Sequence, residues 1–311
     1  MMHLRIATLG AAVLAGTFSI ELVATERMSV STFDPAQYCQ TVDREAEKVK
    51  PASVEEILAL EDAARSHDGF AVAEAVLIGG AIDVAHASLD PASCQETFRK
   101  GRALFDSKFE AALDGVKREK RHRFKKKEPI RSVQQEITRL WQEDQAGRFA
   151  YLGLKTDDKS GAKFWAQRLS VANARSTDER SKRYMEGILG EFDWIDRRRF
   201  GSAISDHAWI LVQHADGYPG FQADVLERMQ PYLENGGVRP KHYAYLYDRV
   251  AVNTGQLQLY GTQPTWKCEE DGSMRLKPLE DPATVNQRRK AMGLNTVEEG
   301  LETMTRQVCG I

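Results

Sequence analysis

The run 213–216, Gln-His-Ala-Asp, follows an otherwise apolar stretch with the length of a helix. A helix C-terminus carries partial negative charge, so Asp216 there needs a cation: an Arg, a metal ion or a protonated imidazole. Imidazole is well suited to exchanging protons near neutral pH. We predict that His214 is a catalytic acid or base, and that Asp216 or Asp248 orients it within the same catalytic set. The alternatives are hydrogen bonds that fix the next loop, or a metal site with His207; we predict no metal ligands.

Three further groups of polar residues occur at positions where their presence needs an explanation. They are Asp248 with Arg249, Asp144 and Gln145 with Arg148, and Tyr260 with Thr262 and Gln263. An Asp beside an Arg commonly forms a structural ion pair. An acid and an Arg four residues apart share a helix face, where exposed pairing is usual. A glycine among hydrogen-bonding side chains lets a ligand or another backbone approach closely. Structural pairing is the alternative for the first two groups, and a strand end that leads into a turn is the alternative for the third. We predict a substrate-binding set of Asp144, Gln145, Arg148, Gln213, Arg249, Tyr260, Thr262 and Gln263.

Acids, arginines, glutamines and one histidine in a single pocket suit a polar or anionic small substrate. The motifs GxGxxG, GxxxxGK[ST], HExxH and GxSxG do not occur in the chain, which disfavours nucleotide-binding loops, zincin proteases and α/β-hydrolases. Hydrolysis is the least specific reaction class that fits. The competing hypotheses are a module that binds a ligand or an envelope partner without turnover, and a polar network that only stabilises the fold. No cofactor can be assigned.

The elements before residue 129 show helical patterns. Ser53 and Glu56 form a capping box, and the stretch 70–87 is apolar nearly all round. Apolar residues from Phe98 to Val116 recur at helical spacing. The patterns predict an array of αα-hairpins in a helical N-terminal region, residues 25–128.

After residue 128 the spacing of apolar residues changes along the chain from that of helices to that of strands. Helical patterns begin near residues 130, 177, 201, 221, 282 and 297, with Thr296 and Glu299 capping the last of them. The turns 253–255 and 271–272 lie between short runs with the pattern of strands. We therefore predict a mainly α protein of the α+β type, in which residues 129–311 form a helical module with a small antiparallel β-sheet.

The polar groups also form a series of motifs in a fixed order. They are DQxxR from Asp144, QHAD at 213–216, LxDR at 246–249, YGTQ at 260–263 and RRxxxGL from Arg288. The series resembles a bacterial family catalogued as domain of unknown function 6624, over about residues 130–305. The resemblance implies no activity, but it implies that the scattered polar groups belong to one module. Our hypothesis is that they converge on one pocket.

Charge and hydropathy exclude two classes of protein. The 311 residues include 43 Lys and Arg against 45 Asp and Glu, so no overall positive charge favours nucleic acid. A mean hydropathy of −0.47 excludes a polytopic membrane protein. The run Lys117–Lys127 contains eight Lys or Arg in eleven residues. We interpret it as a solvated helix end; the alternative is a surface for phospholipid head groups or nucleic acid. The oligomeric state is left open.

The N-terminus and the cysteines bear on the compartment. The apolar stretch Ile6–Ile20 has the length of a signal-peptide core and is too short to span a bilayer comfortably. We predict a signal peptide at residues 1–24 and a periplasmic or secreted protein without a transmembrane span. The alternative is a cytoplasmic chain that starts at Met28. Four cysteines allow three pairings, and their clustering favours Cys39–Cys94 and Cys268–Cys309.

Overall fold

The computed structural model describes residues 33–36, 39, 68–88, 90–119, 124, 126–156 and 161–310. The predicted signal peptide, the capping box at Ser53 and part of the run Lys117–Lys127 lie outside these residues. Ten α-helices make the described part mainly helical, as predicted. They are α1 (Gly69–Ser88), α2 (Pro91–Glu119), α3 (Ile130–Leu152), α4 (Ala162–Phe192), α5 (Arg197–Phe200), α6 (Ser202–His214), α7 (Pro219–Met229), α8 (Pro240–Asn253), α9 (Val285–Ala291) and α10 (Val297–Cys309).

The long helix α4 is shared by two hydrophobic cores. Near its N-terminus, Trp165 and Leu169 are buried with apolar residues of α1 and α2. Near its C-terminus, Met185 and Leu189 are buried with apolar residues of α3, α6, α7 and α8. The helices on the two sides of residue 128 therefore pack against one common element. The boundary near residue 128 stays a prediction.

Several helix ends follow directly from the sequence. Proline occupies the first turn of α7 and of α8, where its missing N–H has no helical partner to lose. The capping box predicted for the last helix is confirmed, since the Thr296 side chain accepts the Glu299 N–H at 3.3 Å and the Glu299 carboxylate accepts the Thr296 N–H at 3.1 Å.

The predicted antiparallel sheet is not found among the described residues. Val250 and Val252 belong to α8, and the residues predicted to turn the hairpin end that helix, with Gly255 at φ 75°. The following segment is irregular and contains two isolated bridges, Gln258 with Leu279 and Pro264 with Leu276. The error has a physical cause: a helix end and a hairpin turn both require a residue at positive φ, which glycine supplies.

The helix predicted to begin near Thr177 in fact begins at Ala162. Its middle contains the buried polar residues Ser176, Thr177 and Asp178. These residues interrupt the apolar pattern and have the composition of a helix cap. The interruption is instead a polar face of one continuous helix, directed at the site described below.

The cysteine pairing is confirmed, with disulfides between Cys39 and Cys94 and between Cys268 and Cys309. The second bond ties the irregular segment after α8 to the end of α10. Both are compatible with an oxidising compartment. None of the helices within the described ranges is long and apolar enough to cross a membrane.

Candidate functional site

His214 and Asp144 form a close pair between α6 and α3. The imidazole Nδ1 lies 2.8 Å from Oδ2 and 3.0 Å from Oδ1 of Asp144, whose side chain is almost fully buried. Burial alone would raise the pKa of this carboxyl, but His214 and Arg148 outweigh burial and hold the pKa at about 2. An ionised carboxylate can only accept hydrogen bonds. The proton of this bond is therefore on Nδ1 of His214.

The other ring nitrogen of His214 reaches solvent. Nε2 makes no hydrogen bond to any residue that the structure describes, and it is not among the fully buried polar atoms without a partner. The side chain is 23% exposed. In the neutral ring with Nδ1 protonated, Nε2 carries a lone pair and is available to accept a proton.

Arg148 joins the pair to a second carboxylate. Its Nε donates to Asp144 Oδ1 at 2.9 Å, and its Nη2 donates to Asp178 Oδ1 at 2.9 Å. Helices α3 and α4 approach closely beside it, since Ser170 Oγ donates to the carbonyl of Gly147 at 3.2 Å. A Cβ at Gly147 would lie 2.9 Å from the Asn173 amide nitrogen, so glycine permits this approach. We call Asp144, Arg148, Asp178 and His214 the acid–histidine cluster.

Asp178 is the member of the acid–histidine cluster that the sequence analysis missed. Burial raises the pKa of its carboxyl to about 7. The neighbouring carboxylates of Asp144 and Asp216 act in the same direction, against the opposing charge of arginines. The signal that could have identified Asp178 is its place in a polar run flanked by apolar helical residues. The sequence analysis instead placed the beginning of a helix there, near residue 177.

Asp216 lies beside the acid–histidine cluster and pairs with Arg249 of α8. Arg249 Nη1 donates to Asp216 Oδ2 at 2.7 Å, and Asn253 Nδ2 donates to Asp216 Oδ1 at 3.2 Å. Burial would raise the pKa of Asp216's carboxyl, but Arg249 outweighs it and holds the pKa below its usual range. The cation that we expected at this helix end is thus the guanidinium of Arg249.

Two of the three predicted glutamines, Gln145 and Gln213, are next to members of the acid–histidine cluster in the chain. Gln145 Nε2 donates to Asp144 Oδ2 at 2.8 Å. Gln213 Nε2 lies 3.5 Å from the carbonyl oxygen of Tyr245, while its Oε1 is buried without a hydrogen-bond partner among the described residues. Nε of Arg249 is likewise buried without a hydrogen-bond partner among the described residues. A buried polar atom without a partner is costly and calls for an explanation, of which a bound ligand is one.

Asp248 is fully buried, and its carboxylate meets backbone amides. Oδ1 accepts the N–H groups of Leu259 and Tyr260 at 2.8 and 2.9 Å, and Oδ2 accepts the N–H of Thr262 at 2.8 Å. Burial raises the pKa of this carboxyl more than the amide hydrogen bonds lower it. The carboxylate beside His214 is therefore Asp144, whereas Asp248 holds a loop.

Tyr260, Thr262 and Gln263 are buried in that loop. Arg289 Nη1 donates to the carbonyls of Tyr260 and Gly261 at 2.7 and 3.0 Å. Gly261 has φ 64°, and a Cβ there would lie 3.0 Å from a methyl group of Leu279, so the close approach involves protein. We call residues 258–263 the anchored loop. The structure thus separates the predicted residues into the acid–histidine cluster with its neighbours and the anchored loop.

Two other features contribute no residue to either group. His207 is buried and stacks on Trp141, with ring centroids 3.9 Å apart. No group of three His, Cys, Asp or Glu residues in the described part of the chain could hold a metal ion. A cavity of about 610 Å³ is lined by residues 271–274 and by the α10 residues Glu298, Leu301 and Glu302, among others.

Comparison with known proteins gives one match. The model of a family described as a family of unknown function, DUF6624, matches residues 131–308, which is more than half of the chain and agrees with the range of the resemblance. No curated protein and no solved structure matches the chain. All members of the acid–histidine cluster and the anchored loop fall within the matched residues. The chain belongs to the family of unknown function DUF6624.

Proposed function

We propose that the chain is an exported enzyme that hydrolyses a small polar or anionic substrate, with His214 as its general base. One observation carries the proposal: Nδ1 of His214 is bonded to the ionised Asp144 at 2.8 Å, while Nε2 makes no hydrogen bond to any of the described residues. A carboxylate on one ring nitrogen fixes the tautomer and stabilises the imidazolium that forms when the other nitrogen takes a proton.

The proton transfers follow from this arrangement. Nε2 of His214 takes a proton from a water molecule as the water oxygen bonds to the electrophilic atom of the substrate. The bond to the leaving group then breaks, and the leaving group takes that proton back from Nε2. Asp144 stays ionised throughout, which is consistent with the low pKa of its carboxyl. Nη1 of Arg148 makes no hydrogen bond to a described residue and is the donor available to an anionic part of the substrate.

A second candidate function is ligand binding without turnover, by a module that recognises a small ligand or an envelope partner. The observation that favours it is that Gln213 Oε1, next to His214 in the chain, and Nε of Arg249, which pairs with Asp216, are both buried without a hydrogen-bond partner among the described residues. A ligand that donates to the first and accepts from the second would satisfy both. The two functions differ in whether His214 changes the rate of a reaction.

The test is a screen of the full chain against chromogenic esters, amides, phosphate esters and glycosides. We expect turnover of one class, and a loss of about 10²–10⁴-fold in kcat/KM for His214→Ala, the usual contribution of a general base. The matched control is Asp224→Asn, which removes a carboxylate that pairs with Arg228 on an exposed helix face. Equal turnover by His214→Ala and the parent would refute the assigned role. Binding without turnover of any substrate would favour the second function.

A further inference from the structure

We infer that the acid–histidine cluster takes up a monovalent anion together with a proton, with Arg148 holding the anion and Asp178 holding the proton. The inference rests on the proposed function only in placing the ligand at this cluster. It names the substrate class: a small molecule that presents one carboxylate or a comparable monoanion. Proton-linked binding is a property of the cluster's charges, so it can be measured without knowing the reaction.

The geometry around Arg148 leaves one edge of its guanidinium for a ligand. Nε and Nη2 share the side-on edge, and each donates to a different carboxylate, of Asp144 and of Asp178. Nη1 makes no hydrogen bond to the described residues, and the side chain is 36% exposed. Since an arginine presents its donors in a planar fork, an anion can approach Nη1 without displacing either carboxylate.

Only one oxygen of the Asp178 carboxylate accepts a hydrogen bond from a residue that the structure describes. Oδ1 accepts from Arg148, whereas Oδ2 has no hydrogen bond to a described residue and is not among the fully buried atoms without a partner. A proton can therefore attach to Oδ2 without breaking a hydrogen bond. The side chain is only 9% exposed, so its charged form is poorly solvated. Burial raises the pKa of this carboxyl to about 7.

The charges that face Asp178 come from each element packed against it. Arg148 and Asp144 face it from α3, Arg175 from α4 itself, and Asp216 from the turn after α6. Together with Asp178 itself and with Arg249, which pairs with Asp216, these groups comprise three carboxylates and three guanidinium groups. His214, which faces Asp144 and Asp216, adds no charge in the neutral form that the proposed function requires. The carboxylates and guanidinium groups then balance when every carboxylate is ionised, and a monovalent anion brings an excess negative charge. With Asp178 protonated, the same anion restores neutrality.

These charges determine the sign of the coupling between anion binding and protonation of Asp178. A bound anion adds negative charge near Asp178 and raises the pKa of its carboxyl further, so binding takes up a proton. The affinity for the anion is then highest below the pKa of the free protein, about 7, and falls as the pH rises above it. The fall is at most about tenfold per pH unit, the limit for linkage to one proton.

Acetate is the probe, because it is a monoanion that does not titrate near neutral pH, and acetamide is its uncharged counterpart. Binding to the full chain is followed by NMR shifts of backbone amides in α3 and α4 at about pH 6 and about pH 9. We expect acetate to bind at least tenfold more weakly at the higher pH, and acetamide to leave the cluster unchanged. Asp178→Asn should retain acetate binding at both pH values, and Arg148→Gln should lose it.

A second measurement needs no variant. Adding acetate to an unbuffered solution of the parent protein at about pH 7.5 should take up a measurable fraction of one proton per chain, and Asp224→Asn should behave like the parent. Acetate affinity equal at the two pH values, no proton uptake, or an unchanged pH dependence in Asp178→Asn would each overturn the inference. Linked uptake in a protein without turnover would sustain the inference while the hydrolase proposal fails. Turnover without linked uptake would do the reverse.

Discussion

Asp144 in α3 and Asp248 in α8 are both almost completely buried, yet their oxygens have different kinds of partner. Asp144 accepts from the side chains of Arg148, Gln145 and His214. Asp248 accepts from the backbone amides of Leu259, Tyr260 and Thr262 in one loop. Side chains that reach solvent can contact a ligand while they are bonded to a carboxylate, whereas buried backbone amides cannot. The kind of partner, more than burial, separates the two roles.

The electrostatics of the two carboxyls differ in the same way. His214 in its protonated form and Arg148 outweigh burial at Asp144 and hold its pKa at about 2. At Asp248 burial outweighs the amide hydrogen bonds, and the pKa is raised. A carboxylate that stays ionised beside the imidazole is suited to stabilising an imidazolium. A carboxylate enclosed by backbone is suited to fixing a loop.

The largest expected effect is on turnover, from Asp144→Asn. The amide cannot stabilise an imidazolium and no longer enforces the tautomer with Nδ1 protonated, so we expect kcat to fall by about 10²–10⁴-fold. The measurement is kcat on any substrate found for the parent, at a temperature where circular dichroism shows both proteins folded. Full activity in Asp144→Asn would remove the distinction between the two aspartates.

The next effect is on stability, from Asp248→Ala. Three backbone amides lose their acceptor, and leaving a buried donor unsatisfied costs about 1–3 kcal/mol each, partly recovered by water. We expect the free energy of unfolding to fall by about 3–5 kcal/mol in urea denaturation. Turnover per folded molecule should stay at the parent value. A loss of kcat in fully folded Asp248→Ala would instead connect the anchored loop to the chemistry.

The sequence identified His214 and Arg148 because their signals are local. The histidine ends an apolar helix, and Asp144 and Arg148 are four residues apart on a helix face. Which carboxylate meets the imidazole was not predictable, because Asp144 and His214 are 70 residues apart and meet only where α3 packs on α6. The role of Asp248 was hidden for a similar reason, since it depends on the path of an irregular loop.

The fold shows the same limit. Helices with one apolar face, such as α3 and α6, were predicted from their spacing. The middle of α4 was misread because Asp178 and its polar neighbours face the acid–histidine cluster. The end of α8 was misread because Gly255 satisfies a helix end and a hairpin equally well. Predictions from local patterns fail where the role of a residue depends on its contacts with a distant part of the chain.

A smaller effect is expected from the disulfide that closes a span of 41 residues around the end of the module. Replacing both Cys268 and Cys309 by Ser should lower the free energy of unfolding by about 2–4 kcal/mol, the usual range for a bond closing such a loop. Because the bond ties α10 to the segment after the anchored loop, faster amide hydrogen exchange should appear at residues 258–276. Faster exchange at Asp144 or His214 would show that the two regions do not behave independently.

The smallest effect is the acid sensitivity of the acid–histidine cluster. The pKa of Asp144 is about 2 in the folded chain, below the value of about 3.9 in an unfolded one. A carboxyl whose pKa is depressed by folding stabilises the protein above its unfolded pKa, and this contribution is lost as the pH falls from about 4 to about 2. The loss from this group should be roughly 2 kcal/mol, and Asp144→Asn should lower the acid loss of the parent by that amount in urea denaturation series at these pH values. Asp224→Asn should retain the acid loss of the parent, because Asp224 is exposed. Asp248→Asn should retain it too, since the raised pKa of Asp248 changes stability in the opposite direction. If the acid loss instead disappears in Asp248→Asn and persists in Asp144→Asn, the assignment of cation-held and backbone-held carboxylates is reversed.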